Sequence, residues 1–252
     1  MKLWQLRRHW NELARRDPFW AVLTESDKLG NRWATPEFYA TGVAEVDRDL
    51  ARIRELAPAM RLGSALDFGC GAGRLTAALG GHFGRATGVD ISDTMVALAR
   101  EHCPDKRVEF VCNTRPDLGT FPDNSFDLVY SRITLQHIAP RYTKRYLAEF
   151  VRILAPGGIL SVQIPEFVPA VVPDRLKFST WPPTMIMRIR RNVRFHLPGW
   201  FPGTPTMQMY AIPGGEVREC LVNAGAKLLP SELIEHGEVR NVTYLARKGG
   251  SA

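Results

Sequence analysis

From residue 58 onwards, short apolar segments alternate with segments of helical periodicity, and this alternation constrains the fold more than any other feature of the chain. Strands are predicted at residues 65–68, 86–90, 108–112, 128–131 and 159–164, and again at 226–229 and 242–246. Helices are predicted at residues 74–79, 92–101, 142–154 and 216–224. Because such an alternation builds right-handed β–α–β units, we expect an α/β fold with a doubly wound, mostly parallel sheet.

Two regions depart from the alternation. Residues 1–57 carry helical patterns over 3–16 and 43–56 with an aromatic loop predicted at 31–42, and we expect them to form an N-terminal helical cap on a single ligand-binding domain, residues 58–252. Residues 165–213 are proline-rich and hold Arg188, Arg190, Arg191 and Arg194. So long a departure indicates a functional insertion, which we expect to form a cap over the ligand site. The alternatives for its basic run are a solvated helix face or a surface that touches membrane.

The segment ALDFGCGAGRL, residues 65–75, places Gly69, Gly71 and Gly73 directly after the first strand. This loop lies at the sheet edge where ligands bind, and glycines let the backbone approach a ligand closely. Its spacing is G-x-G-x-G, whereas a dinucleotide fold requires G-x-G-x-x-G, a pattern whose last position here is Arg74. The loop therefore indicates a ligand site other than a nicotinamide site, with a tight structural turn as the alternative.

Asp90 ends the second predicted strand in the segment GVDIS. A carboxylate at this place can accept hydrogen bonds from both hydroxyls of a ribose, because it has two acceptor oxygens. The alternative is an aspartate that caps the following helix or lies on the surface. Combined with the glycine loop upstream, Asp90 favours ribose binding.

Four segments in order, DFGCGAGR, GVDIS, FPDNSFDLVYSRITLQHI and ILAPGGIL, resemble the motifs of class I S-adenosylmethionine (SAM)-dependent methyltransferases. The small-molecule branch, similar to the ubiquinone-biosynthesis methyltransferases, fits best. The resemblance covers residues 64–164. It implies a Rossmann-like, seven-stranded sheet whose last strand is antiparallel, SAM as the cofactor, and S-adenosylhomocysteine (SAH) as its product.

The resemblance assigns cofactor-binding roles to residues along these motifs. Asp67 and the glycine loop would surround the methionine part of SAM, Asp90 would bind the ribose and Ile91 would pack on the adenine. Asn113 stands where many relatives carry an adenine-binding aspartate, and Ser131 would lie beside the methionine end. The cofactor-binding residues expected are Tyr39, Asp67, Gly69, Cys70, Gly71, Gly73, Asp90, Ile91, Asn113 and Ser131.

Tyr39 belongs to the aromatic loop before the domain, together with Trp33 and Phe38. N-terminal helices cap the ligand edge in similar enzymes, so these side chains are expected to close over SAM, with Tyr39 as the foremost contact. The alternative is that they pack the first helices against the sheet, since aromatic side chains bury a large area in either role.

The implied reaction is an in-line displacement at the methyl carbon, for which the protein mainly aligns donor and acceptor. An oxygen nucleophile also needs a base, and His137 and His196 are the candidates for this catalytic role. The alternatives are that His137 only holds the cofactor pocket and that His196 is a surface residue.

The net charge of +7 keeps acidic partners open, including an acidic acceptor or an anionic membrane surface. Cys70, Cys103, Cys112 and Cys220 are scattered, without a C-x-x-C pair or a metal-ligand spacing, so we expect no metal and a reducing, cytoplasmic location. No segment approaches the ~20 apolar residues of a membrane span.

The sequence thus predicts methyl transfer to an oxygen or nitrogen of a small-molecule, possibly acidic and secondary-metabolite-like, acceptor by a monomer or homodimer. An RNA methyltransferase and a SAM-binding protein without catalysis are the alternatives. The segment after Tyr130, SRITLQHI, lacks the Asn/Asp-Pro-Pro-aromatic motif of amino-group nucleic-acid methyltransferases, which disfavours a nucleic-acid substrate.

Overall fold

The computed structural model describes residues 1–168, 207–236 and 239–250. The expected insertion of residues 165–213 therefore falls largely outside the described residues, together with His196 and the four arginines from Arg188 to Arg194. The helices in chain order are α1 (Leu3–Arg16), α2 (Pro18–Val22), α3 (Thr35–Leu56), α4 (Arg74–Gly80), α5 (Asp93–His102), a short 3₁₀ helix (Leu135–His137), α6 (Pro140–Ile153) and α7 (Gly214–Asn223).

One mixed sheet runs through the domain. Its strands are β1 (Ser64–Phe68), β2 (Arg85–Asp90), β3 (Val108–Cys112), β4 (Phe126–Ser131), β5 (Leu154–Phe167), β6 (Ala226–Leu228), β7 (Glu232–His236) and β8 (Val239–Lys248). The order is β3-β2-β1-β4-β5-β8-β6, and β7 pairs with β8. The strands from β1 to β5 are mutually parallel, while β8 lies antiparallel to β5, which confirms the predicted Rossmann-like sheet with an antiparallel last strand.

The predicted number of seven strands is one too few, because the described part of the sheet has eight. The additional strand is explained by the length of β8, which has ten residues. Its second half pairs with β6, from Ala226 opposite Lys248, and its first half pairs with β7, from Glu232 opposite Thr243. A long strand thus offers its outer edge to two short strands in turn, and β7 is too short to give a clear alternation in the sequence.

The prediction of an aromatic loop at residues 31–42 is also wrong over most of that range, because α3 begins at Thr35. Pro36 lies in the first turn, where a proline is tolerated since its missing N–H would have no helical partner. Gly42 lies in the middle of this helix, and a Cβ there would come 2.5 Å from the backbone oxygen of Arg74. The glycine therefore serves the close packing of α3 on α4.

Apolar side chains cover both faces of the sheet. On one face Leu66 and Val129 pack against α6, whose Leu147 and Phe150 are fully buried. On the other face the cluster is formed with α3 and α4. Each fully buried side chain of this size contributes roughly 1.5–3 kcal/mol. The sheet is thereby fixed between helices, and its strand ends are held as a rigid edge.

Candidate active site

A cavity of about 690 Å³ opens at the carboxyl ends of β1, β2 and β4. It falls within the range of roughly 300–1,000 Å³ that is typical of small-molecule sites. Its lining comes from the loop after β1, the ends of β2 and β3, the segment after β4, the helix α1, the segment 20–29 and the residues Met207 and Met209. The predicted ligand edge is therefore the edge that carries the cavity.

The glycine loop adopts left-handed backbone conformations, with φ of +79° at Gly69, +50° at Gly71 and +84° at Gly73. A Cβ on Gly69 would come 2.0 Å from the Thr134 side chain, and one on Gly73 would come 2.8 Å from Phe110. Gly69 and Gly71 line the cavity, whereas Gly73 does not. Packing within the protein thus already requires glycine at these positions, in addition to any approach of a ligand.

The Asp90 carboxylate lies at the cavity edge and is held by two backbone groups. Its Oδ2 accepts a hydrogen bond from the Gly71 N–H at 2.9 Å, and its Oδ1 accepts one from the Ser92 N–H at 2.8 Å. Burial raises the pKa of Asp90, and these two N–H groups oppose that shift. A carboxylate has about four lone-pair sites, so both oxygens keep capacity for hydroxyl donors. The cap of α5 is formed by the Ser92 hydroxyl, which accepts from the Met95 N–H at 3.1 Å, so Asp90 is not the helix cap.

Ile91 and Asn113 also line the cavity beside Asp90. The side chain of Asn113 already bonds within its own loop, because its Nδ2 donates to the Asp117 carbonyl at 2.8 Å and its Oδ1 accepts from the Arg115 N–H at 3.1 Å. One N–H and one lone pair of the amide remain. A purine amino group therefore has only this remaining lone pair of Asn113 as a hydrogen-bond acceptor.

Three expected contact residues lie behind the cavity wall and do not line it. The Tyr39 hydroxyl donates to the Ala72 carbonyl at 2.6 Å, and the Ser131 hydroxyl donates to the Phe68 carbonyl at 2.8 Å. The buried Asp67 carboxylate accepts from the Thr76 hydroxyl at 2.7 Å, and burial raises its pKa to about 7. These three side chains therefore bond to the glycine loop and to the residues that flank it.

Cys70 lines the cavity within the glycine loop, and burial raises the pKa of its thiol. A thiol whose pKa is raised is protonated at neutral pH, so it is a weak nucleophile. Within the described ranges, no group of three or more His, Cys, Asp or Glu residues is arranged to hold a metal ion.

His137 lies on the 3₁₀ helix and faces the cavity, but both of its ring nitrogens have partners. Its Nδ1 lies 3.0 Å from the Gln208 carbonyl, which requires a proton on Nδ1, and its Nε2 lies 3.1 Å from Gln136 Nε2, which then donates to it. Burial lowers the pKa of His137 to about 4. The Trp10 ring meets the imidazole edge-on at 5.3 Å between centroids. A neutral histidine with both nitrogens bonded holds the pocket together, while as a base it is weak at neutral pH.

A buried charge network, which the sequence alone did not reveal, lies next to the glycine loop. Arg74 and Arg132, which are 2% and 4% exposed, both line the cavity. Glu45 accepts from Arg74 Nη2 at 2.7 Å and from Arg132 Nε at 3.3 Å. Asp49 pairs with Arg132 at 3.0 Å and accepts from the Tyr130 hydroxyl at 2.6 Å. The position of Arg74 directly after the loop was a usable signal, but its partners on α3 are distant in sequence.

A strained residue follows this network. Ile133 lines the cavity with φ of +47°, an unfavourable value for a β-branched side chain. Its N–H donates to the Gln163 side chain at 3.1 Å. Backbone strain of this kind persists where the surroundings enforce it, often at functional sites.

Helix α1 closes the cavity from outside, which the sequence analysis expected only in general terms. Leu6 and Trp10 line the cavity, and Asn11 accepts from the Ser92 hydroxyl at 2.6 Å. Arg7 pairs with Asp93 at 3.4 Å. The helix is therefore attached to the start of α5, beside the Asp90 carboxylate.

Comparisons with known proteins agree with this geometry. A family model described as a methyltransferase domain matches residues 66–162. Trans-aconitate 2-methyltransferase of Delftia acidovorans is 30% identical over 135 residues, which are 52% of this chain and 48% of that protein. Phosphoethanolamine N-methyltransferase of Triticum aestivum is 35% identical over 133 residues, which are 48% of this chain and 23% of that protein. The chain thus spans half or less of the length of these curated relatives.

Among solved structures, the magnesium protoporphyrin IX methyltransferase of Synechocystis PCC 6803 with bound SAH superposes with a TM-score of 0.63. It is 16% identical, and the match covers 97% of this chain and 98% of that one. At this identity the likeness concerns the fold. None of the described helices is long and apolar enough to cross a membrane. The family match, the strand order and the carboxylate at the end of β2 thus agree on a methyltransferase domain over residues 66–162.

Proposed function

We propose that this protein transfers the methyl group of SAM to an oxygen or nitrogen atom of a small-molecule acceptor. The observation that carries the proposal is the Asp90 carboxylate, held by the Gly71 and Ser92 N–H groups at the edge of a cavity of about 690 Å³. The similarity to methyltransferases whose names specify small acceptors, trans-aconitate and phosphoethanolamine, supports the same reading.

The residues on the cavity wall fit SAM by their chemistry. Asp90 has free acceptor capacity for two ribose hydroxyls, and Ile91 offers an apolar surface for the adenine. At the other end of the glycine loop, the Nε of the buried Arg74 has no hydrogen-bond partner among the described residues. This donor suits the carboxylate of the methionine part, because an unsatisfied buried donor costs about 1–3 kcal/mol.

SAM, when bound, supplies a methyl group on a positively charged sulfonium. The protein's own part is to bind, align and exclude water. Helix α1 and the segment 20–29 cover the cavity, and the strained Ile133 fixes the backbone at the end of β4. His137 acts in this proposal as a positioning residue, since its Nδ1 bond to the Gln208 carbonyl ties the C-terminal end of the insertion to the site.

We also propose the domain arrangement expected from the sequence. Residues 1–57 form a helical cap on the SAM-binding domain of residues 58–252, and the insertion of residues 165–213 covers the acceptor pocket. The contacts of α1 with α5 support the first part. Support for the second comes from Met207 and Met209, which line the cavity where the chain returns to the described region. We further propose that the protein is a cytoplasmic monomer or homodimer, and light scattering tests the oligomeric state. Peripheral membrane contact through the insertion is the alternative, and liposome sedimentation tests it.

Calorimetric titration with SAM, SAH and NAD⁺ tests the cofactor. We expect SAM and SAH to bind and NAD⁺ not to bind. Asp90→Asn removes one of the two acceptor oxygens and should weaken SAM binding about tenfold, because hydrogen bonds to a charged group contribute roughly 1.5–3 kcal/mol. Asp123→Asn is the matched control, since that carboxylate is exposed and does not line the cavity.

Formation of SAH in the presence of acceptor mixtures then separates an enzyme from a SAM-binding protein without catalysis. Tight NAD⁺ binding without SAM binding would refute the proposal. SAM binding that Asp90→Asn leaves unchanged in a folded protein would remove Asp90 from the site. Methylation of RNA at a rate above that of small molecules would favour the nucleic-acid alternative.

A further inference from the structure

One part of the cavity wall belongs neither to the glycine loop nor to the ends of β2 and β3, and this part is apolar. We call it the apolar wall, and it consists of Val22, Leu23, Leu29, Ile133, Met207 and Met209. It is built from the N-terminal region, from the residue after Arg132 and from the C-terminal end of the insertion. Three separate stretches of chain therefore bring aliphatic and thioether side chains to one surface.

Two indole N–H groups beside the apolar wall are already bonded within the protein. The Trp20 Nε1–H donates to the Glu25 carbonyl at 2.9 Å, and the Trp33 Nε1–H donates to the Leu23 carbonyl at 3.2 Å. Val22 also packs over the glycine loop, because a Cβ on Gly71 would come 2.8 Å from its Cγ2. The wall thus presents mainly carbon and sulfur atoms to whatever lies between it and the cofactor site.

In the part of the chain that the structure describes, the arginines that line the cavity leave no cation for an acidic acceptor, because both are paired with carboxylates and the unpaired Arg74 Nε is assigned above to the carboxylate of SAM. Arg74 and Arg132 are its two arginines, and Glu45 and Asp49 neutralise them at 2.7–3.3 Å. The exposed Glu25 adds a negative charge at the segment 20–29. A carboxylate or phosphate on the acceptor, in addition to the SAM carboxylate, would have to displace a buried ion pair here, and breaking such a pair is costly.

We infer that the methyl acceptor is a neutral molecule whose aromatic or hydrocarbon skeleton is its main recognition element. Apolar surface leaves water favourably against such a wall, and methionines adapt to irregular apolar shapes. An ionised group placed there without a partner carries a large desolvation cost. The inference rests on the proposed function, and it differs from the acidic acceptor suggested by the arginines of the insertion, which lie outside the described residues.

A matched pair of fluorescent probes tests this class of acceptor. N-phenyl-1-naphthylamine and 8-anilinonaphthalene-1-sulfonate share one ring skeleton and differ by a sulfonate. Both are titrated into the full-length protein saturated with SAH, at a salt concentration that screens the net positive surface. We expect the neutral probe to bind with a dissociation constant at least about tenfold below that of the sulfonate, because the wall has no free cation.

Two variants locate the binding. Met209→Gln and Leu29→Gln, on different stretches of the wall, should each weaken the neutral probe about fivefold or more while the affinity for SAH changes less than about twofold. The control is Val222→Gln on α7, an equally apolar but exposed position that should leave both probes unchanged. Thermal unfolding and SAH affinity show that each variant is folded, and the second wall variant covers a failure of the first.

The inference is overturned if the SAH complex binds the sulfonate at least as tightly as the neutral probe, if it does not bind the neutral probe, or if neither wall variant weakens that binding. Each of these results leaves the proposed function intact, because SAH still binds. Absence of SAH binding in the initial calorimetry refutes the proposed function itself and the acceptor class with it.

Discussion

Asp67 is a carboxylate whose protonation should control the stability of the fold near neutral pH. Its side chain is 1% exposed and accepts one side-chain hydrogen bond, from the Thr76 hydroxyl at 2.7 Å. Burial raises its pKa from 3.8 to about 7, although Thr76 and the nearby Arg74 oppose the shift. Because the folded state keeps this proton while the unfolded state releases it, stability is fully present below pH 3.8 and is lost as the pH rises towards and through 7.

The size of the effect follows from the two pKa values. One pKa unit corresponds to about 1.36 kcal/mol, and between pH 5 and pH 8 the folded form passes from almost fully protonated to almost fully ionised. The free energy of unfolding should therefore fall by about 2–3 kcal/mol over this range through Asp67 alone. In Asp67→Asn the amide oxygen still accepts from Thr76, and the titration is absent. Relative to the wild type, the free energy of unfolding of Asp67→Asn should therefore rise by about 2–3 kcal/mol between pH 5 and pH 8.

Urea unfolding of both proteins at pH 5, 6, 7 and 8 measures this difference, and all other titrating groups cancel because the two chains share them. Thr76→Val is the matched control in the opposite direction. It removes the hydrogen bond that favours the ionised form of Asp67, so the free energy of unfolding should fall more between pH 5 and pH 8 than it does in the wild type. A difference between wild type and Asp67→Asn that is the same at pH 5 and pH 8 would refute the reasoning. Asp67 does not line the cavity, so SAM affinity of Asp67→Asn should stay close to that of the wild type.

Two further predictions concern packing and the histidine. Gly42→Ala should destabilise the protein by roughly 1–3 kcal/mol, because a Cβ would come 2.5 Å from the Arg74 carbonyl oxygen. Gly215→Ala has open space around it and should stabilise the protein by about 0.5–1 kcal/mol. Urea midpoints measure both changes, and changes of the same sign in the two variants would contradict the packing argument. His137→Asn keeps a donor for the Gln208 carbonyl and should retain methyl transfer within about tenfold, while a loss of 10²–10⁴-fold in kcat with an unchanged KM would instead identify a catalytic base.

Much of the architecture could be predicted because its signals are local. The strands from β1 to β5 are short apolar runs, and each predicted strand overlaps an observed one. Asp90 could be placed because a residue that ends a parallel strand must lie at the ligand edge, whatever else the chain does. The spacing of the glycine loop was equally local, and its three left-handed φ values follow from residue type.

Side-chain partners could not be predicted in the same way. Tyr39 and Ser131 bond to backbone carbonyls behind the cavity, although their positions in the sequence suggested contact with the cofactor. His137 has a conventional position for a base, yet burial lowers its pKa to about 4, although the bond to the Gln208 carbonyl, 71 residues away, opposes that shift. In each case the neighbour that decides the chemistry comes from a distant part of the chain.

The sequence by itself therefore determined the positions of the strands along the chain, the glycine spacing of the loop and the edge of the sheet at which a ligand site is expected, since these depend on local periodicity and on the handedness of β–α–β units. Only the tertiary structure decided that Gly42 belongs to a helix, that β8 carries two short strands on its edge, and that the arginines of the cavity are neutralised from α3. These features depend on burial and on close approach between distant segments, and a buried charge or a crowded glycine acquires its role only from the atoms that surround it.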